Sequence, residues 1–297
     1  MNIRETEIVD TFAEGFTMRF VRVVVTAIDE YWLETALREF CGFGTSVIAC
    51  NAEVGVEKHL AADETPDGRV GASVMAFSFS AESLQQAMVD RVGQCVMTCP
   101  TTAVFNGNSA TEASISLGGK LRFFGDGFQK SKLIGDRRFW RIPVMDGEFL
   151  VEENLGVAKG VAGGNFLIHS SNQLDGLTAA RRAVDAIAKI DGVITPFPGG
   201  VVRSGSKVGS KYKGLVASTY HEYCPTLRAR VDSKVHADAN CVYEIVIDGS
   251  DFTTVAEALG KGVHAACGPK TFAISAGNNG GQLGKHHLQL HEIVKDS

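Results

Sequence analysis

The chain writes one strand–helix–strand pattern four times, and that repeat limits its fold more than any other feature. The first copy predicts a strand over 20–26, a helix over about 29–40 with Leu33, Ala36, Leu37 and Phe40 on one face, and a strand over 45–50. The second predicts a strand over 73–79, a helix over 81–92 carrying Leu84, Met88 and Val92, and a strand over 95–98. The third runs through a strand over 165–169, a helix over about 174–190 with Leu177, Ala180, Val184 and Ile187, and a strand over 193–197. The fourth has a strand over 241–249, a helix over about 251–267 with Val255, Leu259 and Val263, and a strand over 271–275. Gly42, Gly93, Gly192 and Gly268 follow the four helices. Glycine takes the left-handed conformation that stops a helix and turns the chain.

Two such units in succession make βαββαβ, the ferredoxin-like split unit. The expected class is therefore α+β, with two ferredoxin-like lobes related by internal duplication over 1–150 and 151–297. Helices then cover one face of each sheet, and the other face needs a lobe, an insertion or another subunit to cover it. Between the lobes, G-D-G and D-G turns over 121–155 predict an antiparallel hairpin elaboration, with strands around Phe123, Trp140 and Phe149. The small, polar stretch 106–119 reads as a flexible loop.

The strand C-V-Y-E-I-V-I-D-G sets one carboxylate among apolar neighbours. Alternation puts Tyr243, Ile245 and Ile247 on one face and Val242, Glu244 and Val246 on the other. Burying an ionised glutamate is costly without a partner, and desolvation raises its pKa. Glu244 is thus a candidate for holding and delivering a proton; a structural Glu tied to an arginine or a backbone amide is the competing reading.

Four connections are rich in Gly, Pro, Ser and Thr. They are N-A-E-V-G after Cys50, P-T-T-A-V-F-N-G with Thr101, P-F-P-G-G-V-V-R-S-G-S-K-V-G-S-K with Gly199, Gly200, Arg203, Ser206, Lys207 and Lys211, and A-G-N-N-G-G-Q-L-G-K with Asn278 and Asn279. Glycines let backbone amides approach a ligand, or merely permit tight turns. Arg203, Lys207, Lys211 and Lys213 suit a phosphate or carboxylate tail, or form a solvated basic loop.

Several function classes fall away. Over 297 residues the net charge is -5, which argues against non-specific nucleic-acid binding. No apolar run reaches the roughly 18 residues of a spanning helix and the first ten residues alternate charges, so no membrane association and a cytoplasmic location are expected. Seven cysteines fit reduced thiols, with Cys95 and Cys99 read as buried strand thiols. Gly200 to Gly205 lacks the Walker lysine, with Ser206 in its place, and Val47 replaces the third glycine of a dinucleotide fingerprint. No serine stands in a G-x-S-x-G elbow, and H-H-L-Q-L-H at His286, His287 and His291 reads as a solvated strand face rather than a metal site.

The ordered motifs D-T-F-A-E at Asp10, G-F-G-T-S-V-I at Gly42, E-T-P-D-G-R at Glu64, G-Q-C-V-M-T-C-P-T at Gly93, F-F-G-D-G at Phe123, G-V-A-G-G-N-F at Gly160, P-F-P-G-G at Pro196, S-K-V-G-S-K at Ser206, Y-C-P-T at Tyr223, C-V-Y-E-I-V-I at Cys241 and A-G-N-N-G-G-Q-L-G-K at Ala276 span the chain. Together they resemble the formylmethanofuran:tetrahydromethanopterin formyltransferase family. The resemblance implies a cytoplasmic homotetramer built as a dimer of dimers, with two ferredoxin-like lobes and no metal or prosthetic group. It implies reversible formyl transfer between the amine of methanofuran, a coenzyme substrate, and N5 of tetrahydromethanopterin. The family's catalytic carboxylate matches Glu244. Bacterial relatives join a formyltransferase/hydrolase complex, and C-N-A-E-V-G at Cys50 in place of the archaeal C-P-A-E-A-G points to such a subunit. A formyl-thioester on Cys95, Cys99 or Cys241 is a rival route, and a non-catalytic coenzyme-binding scaffold is the alternative outside catalysis.

Overall fold

The computed structural model describes residues 1–108, 111 and 113–295. Helices and strands mix through the whole chain, as α+β predicts. They gather into two compact units, one of Met18–Gly160 and one of Met1–Thr17 with Val161–Ser297. A division near residue 150 instead groups the first seventeen residues with the N-terminal half.

In the Met18–Gly160 unit, the strand Phe12–Thr26 contributes its larger part and pairs antiparallel with Gly71–Ser78 and Ala103–Asn106. Val21, Val23 and Val25 alternate onto the face that packs against the helices Glu30–Cys41 and Ala81–Arg91 through Leu33, Leu37, Phe40, Leu84 and Met88. Asp29 and Ser80 cap these helices by accepting from the backbone amides of Trp32 and Ser83.

Two expected return strands are absent. Residues 45–50 form turns, and the strand is Glu53–Leu60. The turn is held from within, where the Ser46 carbonyl accepts the Ala49 and Cys50 amides at 3.1 and 2.8 Å and Glu53 accepts the Val47 amide at 3.0 Å. Buried Arg91 pins both flanks, donating to the carbonyls of Gly42 and Phe43 at 2.7 and 2.8 Å and to Asn51 Oδ1 at 3.2 Å. Residues 95–98, in turn, continue the helix as a π turn, Val92–Val96, and the strand comes at Ala103–Asn106. Thr98 Oγ1 bonds the Gln94 carbonyl at 2.7 Å and Thr102 Oγ1 the Val96 carbonyl at 2.6 Å. Hydroxyls reaching back along the chain hold the winding against the β-propensity of C-V-M-T.

The glycine stops are also fewer than four. Gly42 has φ −56°, and Gly93 lies inside the π turn; Gly192 is left-handed at φ 87°. The expected antiparallel elaboration forms from Lys130–Ile134, Arg137–Val144 and Gly147–Glu152. Phe123 instead sits in the 3₁₀ turn Arg122–Gly125. Within 106–119, Ala113–Ser116 is a strand paired with residues 154–157, so that part is not a loop. Residues 109, 110 and 112 of the stretch lie outside the described residues.

In the other unit, residues 161–170 of the strand Asn154–Ser170 pair antiparallel with Cys241–Gly249 and Thr271–Ser275. Val193–Ile194 adds to one edge, shorter than the expected 193–197. Thr6–Ile8 lies parallel to Thr271–Ser275, and His286–Gln289 pairs with residues 12–15. The helices Gln173–Ile187 and Phe252–Ala266, capped by Asn172 and Asp251, close the core around Ile168, Ile245, Ile247, Val255 and Leu259.

Candidate functional site

The register of Cys241–Gly249 decides which way Glu244 points. Ile245 and Ile247 are fully buried with the helix residues Val255 and Leu259, and the Tyr243 ring lies so close to Gly176 that a Cβ there would sit 2.9 Å from it. That face belongs to the helices, so Glu244 projects from the opposite one. Leu167 is its direct partner on the neighbouring strand, and Ser275 is Leu167's partner on the next.

A segment after the third β-α-β unit covers this second face. Val202 and Glu244 exchange backbone hydrogen bonds at 2.8 and 3.0 Å. Gly205 then passes against the carboxyl, where a Cβ would stand 2.9 Å from Glu244 Oε2. The carboxyl has no hydrogen bond or ion pair among the described residues. Glu244 is half-buried as a residue, and desolvation of its carboxyl pushes the pKa up to about 7. A carboxyl with that pKa populates both protonation states at neutral pH, as general acid–base chemistry needs.

Tyr220 and Tyr223 stand beside it. Their rings meet edge-on at 4.7 Å, and the Tyr220 amide donates to the Gly205 carbonyl at 2.8 Å. The Tyr220 hydroxyl donates to the Asn278 carbonyl at 3.1 Å, and burial pushes its pKa up to about 12. Behind Tyr223, buried His169 accepts the His236 backbone N–H at Nδ1 (3.2 Å), which leaves its proton on Nε2 to donate to Ser275 Oγ at 2.8 Å. Burial pulls the His169 pKa down to about 4, so this imidazole stays neutral. Asn165 clamps the start of the glycine-rich loop: its Nδ2 donates to the Gly277 carbonyl at 3.2 Å, and its Oδ1 accepts the Gly277 N–H at 2.7 Å.

The other expected positions divide. Gly199 and Gly200 form a left-handed turn (φ 62° and 73°); Gly199 faces open space, whereas a Cβ on Gly200 would strike Val184 at 2.7 Å, which makes that glycine a packing requirement. Arg203 precedes a hairpin of Ser206–Val208 and Ala217–Thr219 that carries Ser206 and Lys207, with Lys211 and Lys213 at its exposed tip. Among the described residues none of the four cations has an ion-pair partner. Asn278 spends its side-chain amide on the Phe12 carbonyl (2.9 Å) and Thr11 Oγ1 (3.2 Å), and Asn279 reaches Glu14 at 3.4 Å. Thr101 belongs to the Met18–Gly160 unit, where it holds φ 67° with its amide on Asp146 and its carbonyl on Arg69. Asp67 and Arg69 of E-T-P-D-G-R therefore form the buttress of that turn.

Sequence reasoning missed Tyr220, Gly205, Asn165 and His169 as parts of the Glu244 surround. Tyr223, Asn165 and Gly205 stood in quoted motifs and His169 on an expected strand, but nothing in the spacing announces that 202–240 folds back over 244.

Burial raises the pKa of Cys95, Cys99 and Cys241, leaving thiols rather than thiolates for any thioester route. His286 bonds Thr17, His287 packs on Phe12, and His291 bonds the Ile8 carbonyl. No group of three metal-capable side chains occurs among the described residues.

Comparisons with known proteins agree along the whole length. Residues 1–144 match the family described as formylmethanofuran-tetrahydromethanopterin formyltransferase, and 147–293 match its proximal lobe. The formyltransferase of Methylobacillus flagellatus is 50% identical over 99% of this chain and 100% of its own, and that of Methanosarcina mazei is 47% identical at the same coverage. Among solved structures, the Methanosarcina barkeri formyltransferase superposes with a TM-score of 0.93 at 46% identity, covering 99% of this chain and 100% of its own. A chain of the formyltransferase/hydrolase complex of Methylorubrum extorquens, solved with methylofuran, does so with 0.95 at 43%, covering 99% and 98%. The chain belongs to the formylmethanofuran–tetrahydromethanopterin formyltransferase family.

Proposed function

We propose that this chain moves a formyl group reversibly between formylmethanofuran and N5 of tetrahydromethanopterin, with Glu244 as the proton shuttle. The observation that carries the reading is a carboxyl without a partner among the described residues, poised near pKa 7, walled by Gly205 and by Tyr220, whose hydroxyl is tied to the loop after Ser275. N5 attacks the formamide carbon, and a new C–N bond forms as the carbonyl oxygen gains charge. Glu244 takes the N5 proton at that step and returns it to the methanofuran amine as the old C–N bond breaks, so the proton count closes. Such a shuttle contributes about 10² to 10⁴ in rate. Backbone amides of the glycine loops supply donors to the oxyanion, and Arg203, Lys207 and Lys211 attract the anionic groups of the coenzymes.

The finer architecture belongs to the same proposal. Each unit lays two helices on one sheet face, which supports two ferredoxin-like lobes that arose by duplication. A homotetramer in the cytoplasm, working without a prosthetic group, follows from the family resemblance, and no helix among the described residues is long and apolar enough to cross a membrane. The likeness to a chain of the Methylorubrum complex supports hydrolase subunits as partners, and favours a coenzyme-binding scaffold as second reading. A spectroscopic formyl-transfer assay of the isolated chain tests both. Turnover abolished by Glu244→Gln is the expected result; an inactive wild-type chain that binds both coenzymes points to the scaffold.

A further inference from the structure

A second carboxylate of the unit that holds Glu244 also lacks a proper partner. Glu14 is 2% exposed, and its Oε1 has no hydrogen-bond partner among the described residues. Its Oε2 accepts only from Asn279 Nδ2 and the Gly284 amide, each at 3.4 Å. Shielding a carboxylate with nothing but two long hydrogen bonds is costly, and such a group keeps the capacity to accept from a ligand.

The surroundings suit a flat ligand that donates N–H groups. His287 pairs directly across from Glu14, so both side chains leave the same face, and the His287 ring packs on Phe12 at 4.9 Å and 35°. The roof over that face is nearly bare backbone. Gly280 and Gly281 adopt φ 71° and 74°, and a Cβ on Gly281 would lie 3.1 Å from His287 Cε1. Gly284 is tighter still, with its Cβ position 2.8 Å from Glu14 Cβ. This roof is tied to the carboxylate only by the two 3.4 Å bonds. Adjacent residues also link the surroundings of the two carboxyls: the Asn278 carbonyl takes the Tyr220 hydroxyl beside Glu244, and the Asn279 amide reaches Glu14.

We infer, resting on the formyl-transfer reading, that Glu14 receives the N3–H and 2-amino group of the pterin, and that 279–284 lifts to let the ring lie against Phe12 and His287. A carboxylate matches two parallel N–H donors as it matches an arginine fork, with both oxygens engaged at once. Two long hydrogen bonds give way to two charge-assisted ones. Metal binding is the weaker candidate here, since Glu14 joins no group of three metal-capable side chains among the described residues.

The test is calorimetric titration of the full chain with tetrahydromethanopterin and, separately, with formylmethanofuran. Glu14→Gln replaces an acceptor by an amide donor at constant shape. Its pterin Kd rises roughly 10- to 100-fold, the worth of one or two charge-assisted hydrogen bonds, while its formylmethanofuran Kd stays within about twofold. Wild-type protein loses a similar factor toward the N3-methyl derivative of tetrahydromethanopterin, an arm that decides the question even if Glu14→Gln does not fold. A pterin Kd unchanged in Glu14→Gln, parallel losses for both coenzymes, or an N3-methyl derivative that binds as well as its parent each overturns the inference. Wild-type chain that neither binds the pterin nor transfers formyl sinks the underlying reading too. An active wild type with an indifferent Glu14→Gln sinks this inference alone.

Discussion

Two pairs of glutamates, one pair in each unit, are treated in opposite ways. In Met18–Gly160, Glu57 is 7% exposed and fully engaged: Arg22 donates to both its oxygens at 2.7 and 2.8 Å, and Ser73 Oγ donates at 2.6 Å. Glu152, 5% exposed, accepts from Arg137 at 2.7 Å and from the Asn106 amide at 2.7 Å. Asp67 is likewise gripped by Arg69 and Thr26. In the other unit, Glu244 has no side-chain partner among the described residues, and Glu14 has two long contacts. The lesson is that burial alone does not mark a catalytic acid, because a buried carboxylate with its arginine is a strut. What separates the two kinds is whether the fold answers the charge.

That contrast can be broken or sharpened by substitution. The largest effect falls on turnover: Glu244→Gln lowers kcat for formyl transfer by about 10² to 10⁴ with the fold intact, measured by steady-state assay beside circular dichroism. Glu57→Gln does the reverse. It leaves Arg22 short of its charge partner and lowers unfolding stability by about 3 kcal/mol or more in urea denaturation, with kcat per folded molecule kept within a few-fold. If Glu57→Gln cut kcat as deeply as Glu244→Gln, the division between strut and shuttle would be void.

Stability against pH carries the next effect. The folded pKa of Glu244 lies above its unfolded value, so the folded state holds an extra proton between about pH 4.5 and 7. Stability from this group is complete below about pH 4.5 and is lost as pH rises through 7, by about 3 kcal/mol in all. Glu244→Gln removes that slope and is the more stable protein at pH 8, as paired urea titrations at pH 5 and 8 will read. His169 acts in the other direction: its folded pKa of about 4 lies below the unfolded 6.5, so stability falls as pH drops from about 6.5 to 4. The smallest effect belongs to the basic hairpin. Lys207→Ala or Lys211→Ala raises KM a few-fold at low salt and much less at high salt, because exposed charges act at long range and are screened.

How far the sequence foretells this arrangement depends on how local each cause is. Cys241–Gly249 and Thr271–Ser275 fall where alternation puts them, and Leu33, Leu37 and Phe40 turn inward as their spacing requires. The failures at 45–50 and 95–98 share a cause, since both stretches look like strands but have backbone groups taken by nearby residues: the Ser46 carbonyl accepts the Ala49 and Cys50 amides, Glu53 the Val47 amide, and the Thr98 and Thr102 hydroxyls reach back to Gln94 and Val96. Short-range hydrogen bonds overrule β-propensity there. Glu244 was legible because an acid among isoleucines and valines is anomalous on its own strand. Its walls were not, because Gly205 and Tyr220 arrive from a segment with no periodic pattern, and the direction of the side chain depends on which sheet face the helices take.

A carboxyl whose charge the fold leaves unanswered must titrate late, so the pKa of Glu244 tests the contrast most directly. Carbon-13 NMR of the chain labelled at glutamate side-chain carboxyls, titrated from pH 3 to 9 and assigned with Glu244→Gln, measures it without any coenzyme. A carboxyl resonance with midpoint near 7 that vanishes in the variant is the predicted result; a Glu244 midpoint near the ordinary 4 to 4.5 of a solvated glutamate contradicts the account.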